Sequence, residues 1–278
     1  MPVIAMTQEM GSLAKDVSVE LAQSLGLKIV RHEIAEHVAN RMHVPQSLIG
    51  RLREGKAGLV ERLTTDQRSV ALYTAEELYD LADRGDVVLR GWGATCLLRP
   101  VPHVVSVRIT RSLRKRVEWL MRDLETDDAE FAEAEIRRSD QAHASRMHEQ
   151  FGVTWGDPLL YDLVLNTDRV SVQSCVEQIS LLMRRPEFAE TAESRALLSG
   201  MALAARVRVA LKDHPATRAI SITVEANKGR ITLRGIVLDD EERTQTQSVA
   251  ADVAGVTDVD NQLKLMATTR RFASSKQT

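Results

Sequence analysis

The chain has 278 residues, 44% of them apolar, which is enough for one large domain or two ordinary ones with cores of their own. Its net charge of −2 excludes a protein that coats nucleic acid by bulk electrostatics and makes no case for an anionic membrane surface. Cys96 and Cys175 lack a C-x-x-C spacing, so buried reduced thiols are expected rather than a disulfide or metal site, and with no basic leader and no long apolar run a cytoplasmic location is expected.

Residues 3–6 read as a buried strand, 7–14 as a loop and 15–25 as a helix with Val17, Leu21, Ala22 and Leu25 on one face and Gly26 as its C-cap. A strand that feeds a helix through a glycine-containing loop aims backbone N–H groups and a helix N-terminus at a phosphate. Gly11, Ser12 and Lys15 stand where such a cradle needs them, with Leu13, Ala14 and Asp16 between and after. The strict spacing G-x-x-x-x-G-K-[ST] asks for glycines at 9 and 14 and a hydroxyl at 16, where this chain has Glu9, Ala14 and Asp16. An ordinary strand-to-helix corner with a surface lysine is the competing reading.

Residues 27–30 form a second short strand, and 32–42 a helix with Ile34, Val38 and Met42 at core spacing. Pro45 opens another helix over 46–53, and the polar, glycine-spotted stretch 54–72 has no clear pattern. A capping box of Thr74 and Glu77 predicts a helix over 74–84. Apolar runs at 87–89 and 104–109 are strands, and their alternation with long helices is the signature of a parallel sheet covered on both faces. Ligands in such sheets bind at the carboxyl ends of strands, so the loops after 6, 30, 89, 109 and 165 should ring the site. Residues 111–123 are helical. The charged stretch 126–150 reads either as a solvated helical pair or as a mobile lid whose arginines reach across phosphates. Histidine pairs 32/37 and 143/148 are five apart and share no helix face as metal ligands would, and Ser12, Ser112 and Ser171 have no triad pattern.

After residue 183 the pattern changes. Residues 186–198, with Pro186, read as a linker. An amphipathic helix over 197–211, alternating apolar residues at 220–224, a turn at 227–229, a strand continuing to 237, a helix over 241–253 and a last strand over 256–265 give an αββαβ order. Residues 268–278 read as a disordered tail.

Three stretches carry a family resemblance. They are VLRGWGATCLL at 88–98, the helix at 116–122, and the block Trp155-Gly-Asp157-Pro-x-x-Tyr161-Asp162-Leu-Val-Leu-Asn166-Thr167. Together with Gly11-Ser12-Leu13-Ala14-Lys15 and Leu25-Gly26 they resemble the cytidylate kinase-like family of P-loop nucleoside monophosphate kinases. The resemblance implies an α/β fold over 1–185, a P-loop NMP-kinase-like parallel sheet with helices on both faces and a helical lid at about 124–152. The implied activity moves the γ-phosphate of ATP onto a pyrimidine nucleoside monophosphate, with ATP and Mg²⁺ as cofactors. On it, Lys15 and Arg122 are catalytic, Gly11, Ser12, Leu13, Ala14, Lys15 and Asp16 hold the donor, and Arg31, Trp92, Arg137 and Arg138 bind the acceptor, with Arg146 nearby. Leu13 and Ala14 replace loop glycines, Arg31 stands where the family tends to place an aspartate, and Trp92 where an arginine is expected. An arginine aimed at the transferring group is worth roughly 10³ to 10⁵ in rate, so these departures leave two outcomes open. One is a phosphotransferase, with Arg31 as a displaced acceptor ligand. The other is a catalytically degenerate nucleotide-binding sensor or scaffold. Residues 199–267, with Leu233-Arg-Gly235 and Val253-Ala-Gly255-Val256-x-x-Val259-x-Asn261-x-Leu263, resemble the BON domain, which implies contact with a small ligand, phospholipid or protein. The oligomeric state is not set by any of these features.

Overall fold

The computed structural model describes residues 1–30 and 33–266, so Arg31, His32 and the tail at 268–278 lie outside it. The chain divides into two units, Met1–Ser199 and Gly200–Thr278.

In the first unit, β1 (Val3–Gln8) leads to α1 (Ala14–Leu25) and β2 (Lys28–Ile29), followed by α2 (Glu33–Met42), α3 (Gln46–Glu54), α4 (Leu59–Thr64) and α5 (Gln67–Arg84). Next come β3 (Val87–Arg90), the short α6 (Ala94–Leu97), β4 (Val104–Thr110), α7 (Leu113–Asp123), α8 (Ala129–Phe151), β5 (Leu163–Asn166) and α9 (Val172–Met183). The five strands form one sheet in the order β2-β3-β1-β4-β5, every pair parallel. Central β1 is buried through Val3, Ile4, Ala5 and Met6, an uninterrupted apolar run of the kind a strand covered on both faces requires. Val17, Leu21 and Ala22 of α1 and Cys175, Val176 and Ile179 of α9 pack with Ile4, Met6, Val105, Val107 and Ile109 in its core. This is the expected α/β architecture, and its carboxyl strand ends carry the loops at 9–13, 91–93 and 111–112.

Two expectations need correction. Thr74 is not a helix start, because α5 begins at Gln67, where the Asp66 carboxylate accepts from the N–H groups of Arg68 (3.0 Å) and Ser69 (3.3 Å). Asp66 is a complete cap two turns earlier, and Thr74 is a buried mid-helix residue. The charged stretch 126–150 is not a helical pair but one helix of 23 residues, capped by Asp128 and closed by Gly152 at φ 66°. Its alternating charges pair along that helix, Arg137 with Glu133 at 2.7 Å and Arg138 with Glu135 at 2.5 Å.

A 3₁₀ turn at Pro186–Phe188 precedes α10 (Ala192–Asp213), so residues 192–198, expected within the linker, are helical. In the second unit β6 (Ile222–Asn227) and β7 (Arg230–Val237) form an antiparallel hairpin through Lys228 and Gly229, both at positive φ. Then α11 (Asp240–Ala251) crosses over to β8 (Asp258–Leu265), which lies parallel to β7. Leu203, Val207, Leu211, Val224, Ile231, Leu233 and Leu263 form this unit's own core. Gly200 permits the close approach of α10 to the hairpin, since a Cβ there would stand 2.7 Å from the Ala226 carbonyl oxygen. Among the described residues no helix is long and apolar enough to cross a membrane.

Candidate functional site

The loop after β1 keeps the conformation of a glycine loop without all of the glycines. Gly11 has φ 77°, and Leu13, at φ 63° and ψ 14°, occupies the left-handed region in which a leucine costs about 1–2 kcal/mol. Ala14 is 2% exposed and packs in the sheet core, so its methyl group points away from any ligand. Ser12 is buried and its Oγ has no hydrogen-bond partner, while its carbonyl accepts from Thr167 Oγ1 at 2.8 Å. Lys15 and Asp16, on the first turn of α1, are exposed.

This loop is fastened to α7 and α8. Met10 packs with Leu120, Ala132 and Ile136. A Cβ on Gly11 would stand 3.1 Å from the Trp119 ring and 3.2 Å from the Arg116 backbone. Glu9, which sequence reading passed over as merely a missing glycine, is an ion-pair hub. Its carboxylate accepts from Arg108 Nη2 (2.7 Å), Thr110 Oγ1 (2.7 Å) and the Arg111 N–H (3.1 Å), with Arg116 Nη1 at 3.6 Å. Arg116 is also gripped by Asp140 of α8, Nη2 to Oδ2 at 2.5 Å and Nη1 to Oδ2 at 3.0 Å. Burial pushes the Asp140 carboxyl up to about 6, against the pull of Arg116. Arg108 stacks on Trp155, 4.4 Å from its centroid, and donates to the Trp155 carbonyl at 3.0 Å. Trp155 and Tyr161 are packing anchors: Trp155 Nε1 donates to Thr7 Oγ1 (3.0 Å), and Tyr161 Oη donates to the Trp155 carbonyl (2.7 Å).

On the other side of Trp155 lies a second arginine cluster. Gly91, Trp92 and Gly93 all have positive φ, a run that brings the Trp92 indole under the Arg53 guanidinium, 4.5 Å from its centroid. Burial first, then the charges of Arg90 and Arg146, lower the Arg53 guanidinium to about 10. Arg146 donates to the carbonyls of Leu52 (3.1 Å) and Arg53, tying α8 to α3. His143 stacks on Trp155, and burial depresses its imidazole to about 4, so it is neutral. Between α3, α4, α5 and α8 opens a cavity of about 820 Å³, a size suited to a nucleotide-sized ligand. Arg62, Arg68, Arg138 and Arg146 line it with Trp92 and Phe151, and Glu149 is its one acidic lining residue.

The residues singled out from sequence therefore separate. Trp92 and Arg138 line the cavity, whereas Arg137 is exposed and paired with Glu133 and does not line it. Arg122 is exposed, donates to the Glu118 carbonyl, and borders a shallow open depression with Leu13, Arg111 and Trp119. Arg31 lies outside the described residues. Arg53, Arg62 and Arg68 were missed because they come from the stretch without a readable pattern or from helix surfaces. Arg108, on the buried strand β4, was the one buried charge that the pattern offered as a signal. Among the described residues no group of three or more His, Cys, Asp or Glu side chains is placed to hold a metal ion.

The sequence matches the model of the cytidylate kinase-like family over residues 3–169 and that of the BON domain over residues 201–267. Among solved structures, an uncharacterized protein from Eubacterium ventriosum ATCC 27560 is 18% identical, with 66% of this chain and 100% of that one covered at a TM-score of 0.53. Shikimate kinase from Bacteroides thetaiotaomicron is 15% identical, with 66% and 99% covered at 0.43. Shikimate kinase from Acinetobacter baumannii, solved in complex with shikimate, is 16% identical, with 66% and 93% covered at 0.41. The likeness to the first shows the fold alone. No protein of curated function matches the chain.

Proposed function

The chain belongs to the cytidylate kinase-like family, with a BON domain after the kinase-like domain, and from that premise we propose that it binds a pyrimidine nucleoside monophosphate in the arginine-lined cavity between α3, α4, α5 and α8. The observation that carries this reading is the charge balance of that cavity. Four arginines line it against a single acidic lining residue, Glu149, with Arg138 paired to Glu135, and the charges of Arg90 and Arg146 add to burial in lowering the Arg53 guanidinium, behind Trp92, to about 10. A phosphate entering there relieves that repulsion and accepts from donors set in a forked geometry. Trp92, strained into the left-handed region and lining the same space, offers a face on which a base stacks.

ATP and Mg²⁺, which the family implies, fit the opposite side poorly. The residues at the first loop present Glu9 toward β4, Ala14 toward the core and Gly11 against α7, and no reaction step is built on a donor there. This favours a nucleotide sensor over a phosphotransferase. Exposed Lys15 at the start of α1 is the residue on which a residual kinase activity would depend. In the second unit Ile236, Leu238, Leu265 and Met266 are exposed at the ends of β7 and β8, and the small-ligand, phospholipid or protein contact implied for a BON domain is proposed for that edge.

Calorimetric titration of the full chain with CMP tests the cavity, beside Arg146→Ala and a coupled ADP-release assay. Binding in the wild type that weakens at least tenfold in Arg146→Ala, without turnover, is the expected result. Turnover lost in Lys15→Ala would instead establish the enzyme, and CMP binding indifferent to Arg146 would remove the cavity from consideration.

A further inference from the structure

Glu9 stands at the first glycine position of the phosphate-loop spacing, at the carboxyl end of the central strand, where ligands of parallel sheets sit. Its two carboxylate oxygens are met by a guanidinium nitrogen of Arg108 at 2.7 Å, the Thr110 hydroxyl at 2.7 Å, the Arg111 backbone N–H at 3.1 Å and, further out, Arg116 at 3.6 Å. One guanidinium nitrogen, a hydroxyl and a main-chain N–H, with a second guanidinium just beyond, are the kind of donor set that a phosphoryl group recruits. The side chains of Arg108 and Arg116 are only 7% and 3% exposed, and that of Glu9 15%, so the arrangement is built in and not a surface pairing. Asp140 closes it from the lid side by taking the rest of Arg116. The seat holds two carboxylates against two guanidiniums, and it is neutral without any ligand.

A donor phosphate would have to bring more negative charge beside Glu9 in a partly desolvated place, where like charges repel strongly. The arginine cavity beyond Trp155 sets four lining arginines against one acidic lining residue, Glu149. We propose that Glu9 is a specificity-determining residue, a tethered carboxylate that occupies the oxyanion seat of Arg108, Thr110, Arg111 and Arg116 and so limits the protein to ligands carrying phosphate only in the arginine cavity. The inference rests on the cavity reading for its ligand, but its own content is the exclusion of a triphosphate at the seat.

The test is calorimetric titration of ATP-Mg, and separately of CMP, into the full-length wild type and the isosteric Glu9→Gln variant. ATP-Mg should bind at least tenfold more tightly to Glu9→Gln than to the wild type, while the CMP affinity of the two proteins agrees within about twofold. Equal ATP-Mg affinity in the two proteins, tight or absent, overturns the proposal. Should Glu9→Gln not fold, amide hydrogen exchange of residues 8–13 in the wild type decides it: no added protection at millimolar ATP-Mg is expected, and protection overturns it. Failure of CMP to bind either protein would sink the cavity reading and leave the ATP comparison intact, so the two failures are distinguishable.

Discussion

Two groups of arginines lie on either side of Trp155, and they are built on opposite principles. Arg108 and Arg116 are almost fully buried, and each is matched by a carboxylate, Glu9 or Asp140, at hydrogen-bond distance. Arg53, Arg90 and Arg146 crowd one another around Trp92, and the repulsion adds to burial in lowering the Arg53 guanidinium to about 10. The first arrangement is complete without a ligand and fastens the β1 loop to β4, α7 and α8. The second adjoins a cavity of about 820 Å³, reached through Arg146, whose lining sets Arg62, Arg68, Arg138 and Arg146 against Glu149. Residue type alone therefore says little about binding. On the proposed function, what sets Arg108 and Arg116 apart from Arg146 is that each of the first two has a carboxylate at hydrogen-bond distance, whereas Arg146 donates to main-chain carbonyls.

Breaking the neutral side should have the largest effect. Arg116→Ala leaves the partly buried Asp140 without this ion pair and Glu9 with Arg108 alone, and a loss of up to about 3 kcal/mol of stability is expected in thermal or urea unfolding of the full chain. Arg146→Ala, which removes the hydrogen bonds to the Leu52 and Arg53 carbonyls, should lower the unfolding temperature by less than Arg116→Ala does and weaken nucleotide binding as well. Equal destabilisation by the two variants would erase the distinction.

A pH experiment sharpens it further, because Asp140 and His143 neighbour each other on α8 and titrate in opposite senses. Asp140, raised from 3.8 to about 6, takes up a proton in the folded state before the unfolded one, so lowering the pH from 6 toward 4 stabilises the fold. His143, lowered from 6.5 to about 4, takes up a proton first in the unfolded state, so the same change destabilises the fold. Each contribution amounts to about 3 kcal/mol at most, and the wild type should show little net dependence from these two groups. Asp140→Asn should lose stability steadily as pH falls from 6.5 to 4, whereas His143→Gln should gain it from 6 to 4, as measured by unfolding temperature. Parallel curves for the two variants would contradict the assignment. The smallest effect belongs to Leu13→Gly, which releases the left-handed strain at the start of α1 and should add about 1 kcal/mol of stability.

Strand and helix patterning located four of the five strands of the sheet and the order of the second unit, because a parallel strand covered on both faces must be apolar throughout and a surface helix must carry a stripe; the fifth, β5, entered only as a strand end near residue 165. The cap at Asp66 was obscured because Thr74 and Glu77 offer the same local pattern, and local patterns do not reveal which side chains are buried. The departures at positions 13, 14 and 92 were readable as substitutions, but their consequences were not. Leu13 keeps the glycine conformation, Ala14 turns into the core, and Trp92 gains a cation from Arg53 on another helix.

The amino-acid sequence by itself determined the α/β sheet, its β1 loop, and the family, since these rest on side-chain periodicity and on short contiguous blocks. Only the tertiary structure decided which charges are paired and with what, because Glu9 meets Arg108 and Thr110, and Arg53 meets Trp92, across long separations in the chain. Electrostatic balance is a property of distances in space, and no local stretch of sequence contains it.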